Sequence, residues 1–314
     1  MVEATIIIAA WNAEDSVADC IAHARGQSHV TCEIVVADDA SCDETAARAH
    51  NAGARVLRLP QNGGPAAARN AALAAAQGDW IVVLDSDDRI EPGRTRRMID
   101  LALRRSADVV LGNIRRVARW EDAESTPPFI PPEIPGTADV FDLESYLAMD
   151  DVLPAGRSVG YLKPIFNRAF LDRTGLRYDP QLRNGEDFHI ILACLATGGR
   201  VIFDPVADYL YRARPGSVSH RMNLDHLDAL MAADIRFAAR HSDRLTDQSR
   251  ALLARRRGDQ ARLGTSERVL HALKAGKAGP ALANLAQHPG AAGMILGKLA
   301  EALGKRVFPE RYLK

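Results

Sequence analysis

Carboxylates gather at three places along this 314-residue chain, each in a setting where they could act on a ligand. The run Trp80-Ile81-Val82-Val83-Leu84-Asp85-Ser86-Asp87-Asp88 closes an apolar segment with three acids. Like charges crowded where water is scarce repel strongly, so they call for a counterion. Hard oxygen ligands suit Mg²⁺ or Mn²⁺, which keep several waters and take up substrate phosphates. Asp85 and Asp87 are the candidate metal ligands, and Asp88 is placed to cap the next helix. A second acidic turn, Asp38-Asp39-Ala40-Ser41-Cys42-Asp43, can accept hydrogen bonds from a base N–H or from ribose hydroxyls through Asp38 and Asp39. Ser41 or Asp43 would serve there as a helix N-cap. The third, Gly185-Glu186-Asp187, opens a helix. Its acids are either held by the helix dipole, or one of them is a general base for a hydroxyl group.

Two basic segments complete the chemistry. In Gln61-Asn62-Gly63-Gly64-Pro65-Ala66-Ala67-Ala68-Arg69-Asn70 a tight turn leads into a helix, and Arg69 lies one turn in. It can reach a diphosphate or a neighbouring Asp. The segment is not a P-loop, because the GK[ST] ending is missing. In Tyr209-Leu210-Tyr211-Arg212-Ala213-Arg214-Pro215-Gly216-Ser217-Val218-Ser219-His220, two arginines flank a turn that could cover a diphosphate. His220 is either a further metal ligand or a surface histidine.

Such groups need a rigid frame. Strand patterns at residues 5–9, 33–37, 55–59, 80–84 and 108–111 alternate with helical patterns at 13–25, 43–52, 65–76 and 92–104. That alternation implies βαβ units and an α/β fold with a mostly parallel central sheet and flanking helices. Ligands bind such sheets at the carboxyl ends of the strands, where the first two acidic turns fall. Residues 125–136 carry five prolines and form a loop, either a wall or lid of an acceptor cleft or plain surface. A helix at 141–149, a strand at 159–166, a short helix near 168–173, a helix at 187–196 and a strand at 200–203 follow. Beyond a boundary near Met222 the pattern is helical and basic, at 224–240, 247–262, 267–275 and 291–307. The expected division is a domain at 1–222 and a helical C-terminal region at 223–314.

Composition narrows the function. Lys+Arg and Asp+Glu are both 40, so no global charge favours nucleic acid. Cys20, Cys32, Cys42 and Cys194 form no CxxC pair and fit neither a zinc site nor a dense disulfide framework, so they read as reduced thiols. The N-terminus reads as a strand rather than a signal peptide, and no apolar run is long enough to span a bilayer. The expected location is the cytoplasm. In the last helix Ile295, Leu299 and Leu303 share a stripe. That stripe suits peripheral contact with the inner face of an anionic membrane, where a lipid-linked acceptor would wait. It equally suits packing on the helix's own domain. Oligomeric state is not legible.

Taken together and in this order, the motifs resemble the family 2 inverting glycosyltransferases with a GT-A fold. Ile6-Ile7-Ile8-Ala9-Ala10-Trp11-Asn12 looks like that family's opening strand and turn, with Trp11 where Tyr is usual. Asp38-Asp39-Ala40-Ser41-Cys42-Asp43 is similar to its DDGSxD turn, with Ala40 in place of a glycine and little effect expected from the change. Ala67-Ala68-Arg69-Asn70 matches its ARN element, Asp85-Ser86-Asp87 its DxD, and Gly185-Glu186-Asp187 its ED element. Tyr211-Arg212 through Ser219 resembles the late segment of bacterial polysaccharide enzymes, including succinoglycan-type exopolysaccharide glycosyltransferases. The resemblance spans residues 5–220. It implies a nucleotide-sugar donor, most readily UDP-linked, and an acceptor hydroxyl on a saccharide or lipid-linked oligosaccharide. It also implies nucleotide contacts from Asp38, Asp39, Arg69, Asp85 and Arg212, and a divalent metal at Asp85 and Asp87. The catalytic base would be Asp187, beside Glu186. Two rivals are a sugar nucleotidyltransferase and a non-catalytic scaffold of a polysaccharide assembly. The first usually needs a basic, Gly-rich loop after strand one, where this chain has Trp11-Asn12-Ala13-Glu14-Asp15. The missing GxGxxG after the first strand argues against a Rossmann dehydrogenase.

Overall fold

The structure is a computed structural model. It describes residues 2–131, 140–151, 153, 158–213 and 224–307, of which 301–307 by backbone alone. The β-branched run Thr5-Ile6-Ile7-Ile8 is stiff at χ1 and suits a buried strand. It forms β1 (Ala4–Ala10), followed by α1 (Val17–Arg25), β2 (Cys32–Asp38), α2 (Thr45–Asn51), β3 (Arg55–Arg58), α3 (Pro65–Ala75) and β4 (Trp80–Asp85). Next come β5 (Arg89–Ile90), α4 (Arg94–Arg105), β6 (Val109–Val117), β7 (Val140–Phe141), α5 (Leu143–Met149), β8 (Lys163–Asn167), α6 (Arg168–Thr174), α7 (Glu186–Ala196) and β9 (Val201–Arg212). The strands lie in the order β3-β2-β1-β4-β8-β6-β9-β5, with β7 paired to β9.

The sheet is mixed. Strands β1 to β4 are mutually parallel, and β6 is parallel to β9. Strand β8 runs antiparallel between β4 and β6 and joins the two halves. Alternation divides the core into two layers. Ile7, Val35, Ala37, Ile81 and Val83 pack against α3 and α7, while Ile6, Ile8, Val36, Val82 and Leu84 pack against α1 and α4.

Two strands differ from the sequence reading. The expected strand at 159–166 splits into a 3-10 turn, Val159–Tyr161, and β8. The last strand continues to Arg212 rather than stopping at residue 203. Its pairing with β6 is irregular between Gly112 and Ile114 and resumes with Ile114 beside Tyr209. Asn113 fills that irregularity. Its amide donates to the carbonyls of Ile130 (2.8 Å) and Pro205 (3.1 Å), and its oxygen accepts from Ile130 N (3.1 Å). This anchors the proline-rich loop at Ile130; residues 132–136 of that loop lie outside the described set.

The expected boundary near Met222 also falls outside the described residues. Beyond it come α8 (Leu224–Arg240), α9 (Asp247–Lys274), α10 (Ala278–Gln287) and α11 (Ala292–Val307). One continuous α9 replaces the two helices expected at 247–262 and 267–275. Leu263, Gly264, Thr265 and Ser266, which read as a break, are buried, and tertiary packing overrides their propensity. Helix α10 carried no expectation. Phe237, Leu245 and Leu253 belong to the same hydrophobic cluster as the sheet, whereas Val269, Ala272, Ala281, Ala291 and Ile295 form a small cluster of their own. Among the described residues no helix is long and apolar enough to cross a membrane.

Phe237 on α8 is 7% exposed and sits in the sheet's core. Phe237→Ala is expected to cost about 3–5 kcal/mol in urea unfolding. A loss below about 1 kcal/mol would mean that α8 stands outside that core.

Candidate active site

The turns that follow β1 and β2 are zipped together by short polar side chains. Asn12 N donates to Ser41 Oγ (2.9 Å), Cys42 N donates to Asn12 Oδ1 (3.0 Å), and Ala13 N donates to Thr45 Oγ1 (2.7 Å). Neither Ser41 nor Asp43 is the N-cap of α2: that position is Glu44, without a side-chain cap, and Asp43 one residue earlier accepts from Thr45 N (3.0 Å). Ala40 sits at φ 57°, in the left-handed region. An L-residue there costs about 1 kcal/mol relative to glycine, so the Ala-for-Gly exchange is not neutral for the backbone.

Asp38 and Asp39 are both buried. Asp38 Oδ1 accepts from Ser41 N (3.3 Å), and its Oδ2 lies 3.4 Å from Arg58 Nε. Asp39 accepts from Gly63 N on one oxygen and from Gly64 N on the other, each at 2.8 Å. It therefore ties the second acidic turn to the turn before α3. Each oxygen keeps a further lone pair for a ligand.

The glycine-rich turn is tied in the same way to the segment before α7. Asn70 exchanges hydrogen bonds with the backbone of Tyr178 (2.8 and 2.9 Å), and Arg183 donates to Asn62 Oδ1 (2.7 Å). Arg69, 4% exposed, stands between the two acidic motifs. It donates to Asp85 Oδ1 at 2.7 Å and to Glu186 Oε1 at 2.5 Å, and lies 3.4 Å from Asp187 Oδ1. Of the two partners open to it, a diphosphate or a neighbouring acid, the acids hold it.

Lys163, the first residue of β8, is a charged member of this cluster that the sequence reading missed. Its Nζ donates to Asp85 Oδ2 at 2.6 Å and to Asp187 Oδ2 at 3.4 Å. The signal was present: a lysine inside the apolar pattern Val159-Gly160-Tyr161-Leu162-Lys163-Pro164-Ile165-Phe166. A lysine buried to 4% exposure in such a strand needs an anion.

The charges account for one another. Burial would raise the Asp85 carboxyl, but Lys163 and Arg69 outweigh it and hold the group well below the usual range. Burial would lower the Lys163 ammonium, and Asp85 with Asp187 instead raise it. Burial raises Glu186, opposed by Arg69 and reinforced by the charge of Asp187. Burial, with the charges of Asp85 and Asp87, pushes Asp88 well above an ordinary aspartate. Asp88 does not cap α4. It accepts from the Tyr209 hydroxyl and from Arg212 N, both at 2.7 Å, and locks the β4 turn to β9. Nor do Glu186 and Asp187 cap α7; the N-cap is Gly185 at φ 77°, and no side chain caps the helix.

The crowding that called for a metal is thus largely relieved by Lys163 and Arg69. The donor set still fits a divalent cation of the Mg²⁺ type. Asp87 is half-buried at the tip of the β4 turn, and Asp85 lies two residues before it. Among the described residues no three His, Cys, Asp or Glu side chains are gathered to hold a metal. A Mg²⁺-type ion needs no such cage, because one or two carboxylates plus phosphate oxygens and waters complete its shell. His220 lies outside the described residues. Arg212 ends β9 with its guanidinium 4.8 Å from the ring centroid of Trp120, a residue the sequence did not single out.

The arrangement brings a nucleotide-type turn, a DxD-type turn and an acidic helix start to one mouth of the sheet. The model of "Glycosyl transferase family 2" matches residues 5–133. The chain is 39% identical over 243 residues to the succinoglycan biosynthesis protein ExoO of Rhizobium meliloti, covering 76% of this chain and 69% of that protein. S. aureus TarS 1–349 in complex with UDP-GlcNAc aligns with a TM-score of 0.59 at 17% identity over 89% of each chain. The mannosyltransferase PcManGT from Pyrobaculum calidifontis, solved with GDP-Man and Mn²⁺, aligns with a TM-score of 0.58 at 18% identity, covering 96% of this chain and 80% of that one.

Removing Arg69 would leave Asp85 and Asp187 sharing Lys163 and take from Glu186 the cation it contacts. Arg69→Met is expected to destabilise the protein at pH 7 by about 3 kcal/mol in chemical denaturation. Asp85 is depressed in the folded state, so its contribution is present above the ordinary aspartate pKa of about 4 and lost as the pH falls below it. The gap between wild type and variant should therefore be widest near neutrality and close on acidification. A gap independent of pH would refute the charge-sharing account.

Proposed function

The chain belongs to glycosyl transferase family 2 and is a glycosyltransferase, and from that premise we propose that it transfers a sugar from a UDP-linked donor to a hydroxyl of a saccharide or lipid-linked saccharide, with inversion, in the assembly of a bacterial exopolysaccharide. The observation that carries this reading is the buried contact of Asp85, at the end of β4, with Glu186 and Asp187, at the start of α7, through Arg69 and Lys163. It supports the reading because the carboxylate assigned to the donor and the one assigned as base then lie in one charge cluster, which suits a single displacement.

Asp39 reads the base through a lone pair left free by the Gly63 and Gly64 hydrogen bonds, and Asp38 braces the turn beneath it. Asp85 faces the ribose, and Asp87 with Asp85 would hold a divalent ion, Mg²⁺ or Mn²⁺. When bound, such an ion supplies Lewis acidity to the leaving diphosphate. Arg69 is occupied by carboxylates and acts by fixing them, which leaves Arg212 to meet the diphosphate. Asp187 takes the proton from the acceptor hydroxyl as its oxygen attacks the anomeric carbon and the bond to the diphosphate breaks. Glu186, with its raised pKa, supports Asp187 through Arg69. Orienting the acceptor against the donor supplies much of the remaining acceleration.

UDP release from a panel of UDP-sugars, with Mn²⁺ or with EDTA, tests the reaction. Release should need the metal and fall sharply in Asp87→Ala. Asp187→Asn should lower turnover by about 10²–10⁴-fold while UDP affinity by calorimetry stays within a few-fold. Full turnover in Asp187→Asn would remove it as the base.

We further propose that the chain works at the cytoplasmic face of a membrane, through its last helices. Residues 268–314 carry eight Lys or Arg against two Glu, in a chain balanced overall. Helices α10 and α11 leave Leu282 at 69% and Leu296 at 66% exposed. Apolar side chains among cations suit an anionic lipid surface. Cosedimentation with phosphatidylglycerol vesicles, weakened by salt and absent with phosphatidylcholine, is the expected result. Equal binding to neutral vesicles, or none to anionic ones, would refute it.

A further inference from the structure

Asp85 and Asp187 serve different substrates in the proposed reaction, yet four side chains close into a ring around them. Arg69 lies 2.7 Å from Asp85 Oδ1 and 3.4 Å from Asp187 Oδ1. Lys163 lies 2.6 Å from Asp85 Oδ2 and 3.4 Å from Asp187 Oδ2. Each carboxylate thus shows one oxygen to each cation. The two cations are close to Asp85 and looser on Asp187.

Arg69 also holds Glu186, so it has a second task. Lys163 contacts Asp85 and Asp187 and no other acid among the described residues. Its backbone is fixed by the sheet, paired with Gly112, and its carbonyl accepts from Arg94 Nη2 (3.0 Å). Its ammonium lies 5.8 Å from the Tyr209 ring centroid, and its side chain is 5% exposed. The ammonium is therefore held in one place. Burying a second cation beside a buried arginine is costly. Arg69 is shared by Asp85, Glu186 and Asp187, and Lys163 supplies a second cation to Asp85 and Asp187 together. The relation it uniquely adds is the bridge from Asp85 Oδ2 to Asp187 Oδ2.

We propose that Lys163 is a positioning residue for transfer: it turns the Asp187 carboxylate toward the donor side of the cleft, so that the base is aligned with the anomeric carbon of a donor held at Asp85. The inference rests on the reading of Asp187 as base. Lys163 does not itself take or give a proton in the step; it acts through Asp187.

A double-mutant cycle with Asp187→Asn tests this, read by single-turnover transfer, by acceptor KM and by UDP affinity from calorimetry. Lys163→Met should lower the transfer rate by about 10–100-fold, with acceptor KM and UDP affinity within about threefold of wild type. In the Asp187→Asn background the same substitution should change the residual rate by less than about twofold. An equal loss in both backgrounds would overturn the proposal and move Lys163 to the leaving group. A fall in UDP affinity as large as the fall in rate would also overturn it, by making Lys163 a donor ligand. If Lys163→Met does not unfold cooperatively, Lys163→Gln, which keeps a donor group, enters the same cycle. Wild-type turnover in Asp187→Asn alone would refute the base reading before any lysine variant is made.

Discussion

A charge removed from water has to be answered by another, and the site depends on how this chain meets that requirement. Asp85, Glu186, Asp187, Arg69 and Lys163 come from β4, α7, α3 and β8, and each is held by partners from other elements. No one of these side chains could be buried there alone. The cluster fixes the end of β4 relative to the start of α7 more narrowly than apolar packing could, because charged hydrogen bonds are directional. The neighbouring hydrogen bonds of Asp39 with Gly63 and Gly64, Asn70 with Tyr178, and Asp88 with Tyr209 and Arg212 tie further segments together around the cluster.

Support for α7 extends behind the site. His189 Nε2 lies 3.2 Å from Asp234 Oδ1 of α8, and Arg256 Nε of α9 donates to Asp234 Oδ2 (3.1 Å). Arg256 also pairs with Asp150, the residue that ends α5, and stacks 3.8 Å from the Phe188 ring centroid. A Cβ on Gly185 would meet Leu230 of α8 at 2.5 Å, so α8 packs directly on the turn that presents the acidic pair. The helices after the sheet brace the helix that carries the proposed base.

Much of this was legible in the sequence, and the limits have physical causes. The βαβ rhythm came from local periodicity, so the strands up to residue 85 appeared within a residue or two. The acidic motifs were visible because carboxylates at the end of an apolar run are unusual. Lys163 was visible only as a lysine in an apolar run; which acids it meets depends on β8 entering the sheet antiparallel beside β4, a long-range pairing. The continuation of β9 was hidden by Asp204 and Pro205, which read as a stop but sit where the pairing with β6 is interrupted. The unbroken α9 was hidden for the opposite reason: Gly264, Thr265 and Ser266 disfavour helix locally, and burial against neighbouring helices holds them in it. Ala40 showed its residue type in the sequence but not its positive φ.

The place of β8 has a consequence for how the chain is made. Strand β4 is apolar on both faces, and one of its edges is covered by β1, which is synthesised before it. The other edge is covered only by residues 165–167 of β8. During synthesis β4 therefore waits with an open hydrogen-bonding edge until some eighty further residues have emerged. An open edge of this kind invites pairing with a second nascent chain. On a ribosome adding about 5–20 residues per second the exposure lasts several seconds, an interval in which a holding chaperone would protect that edge.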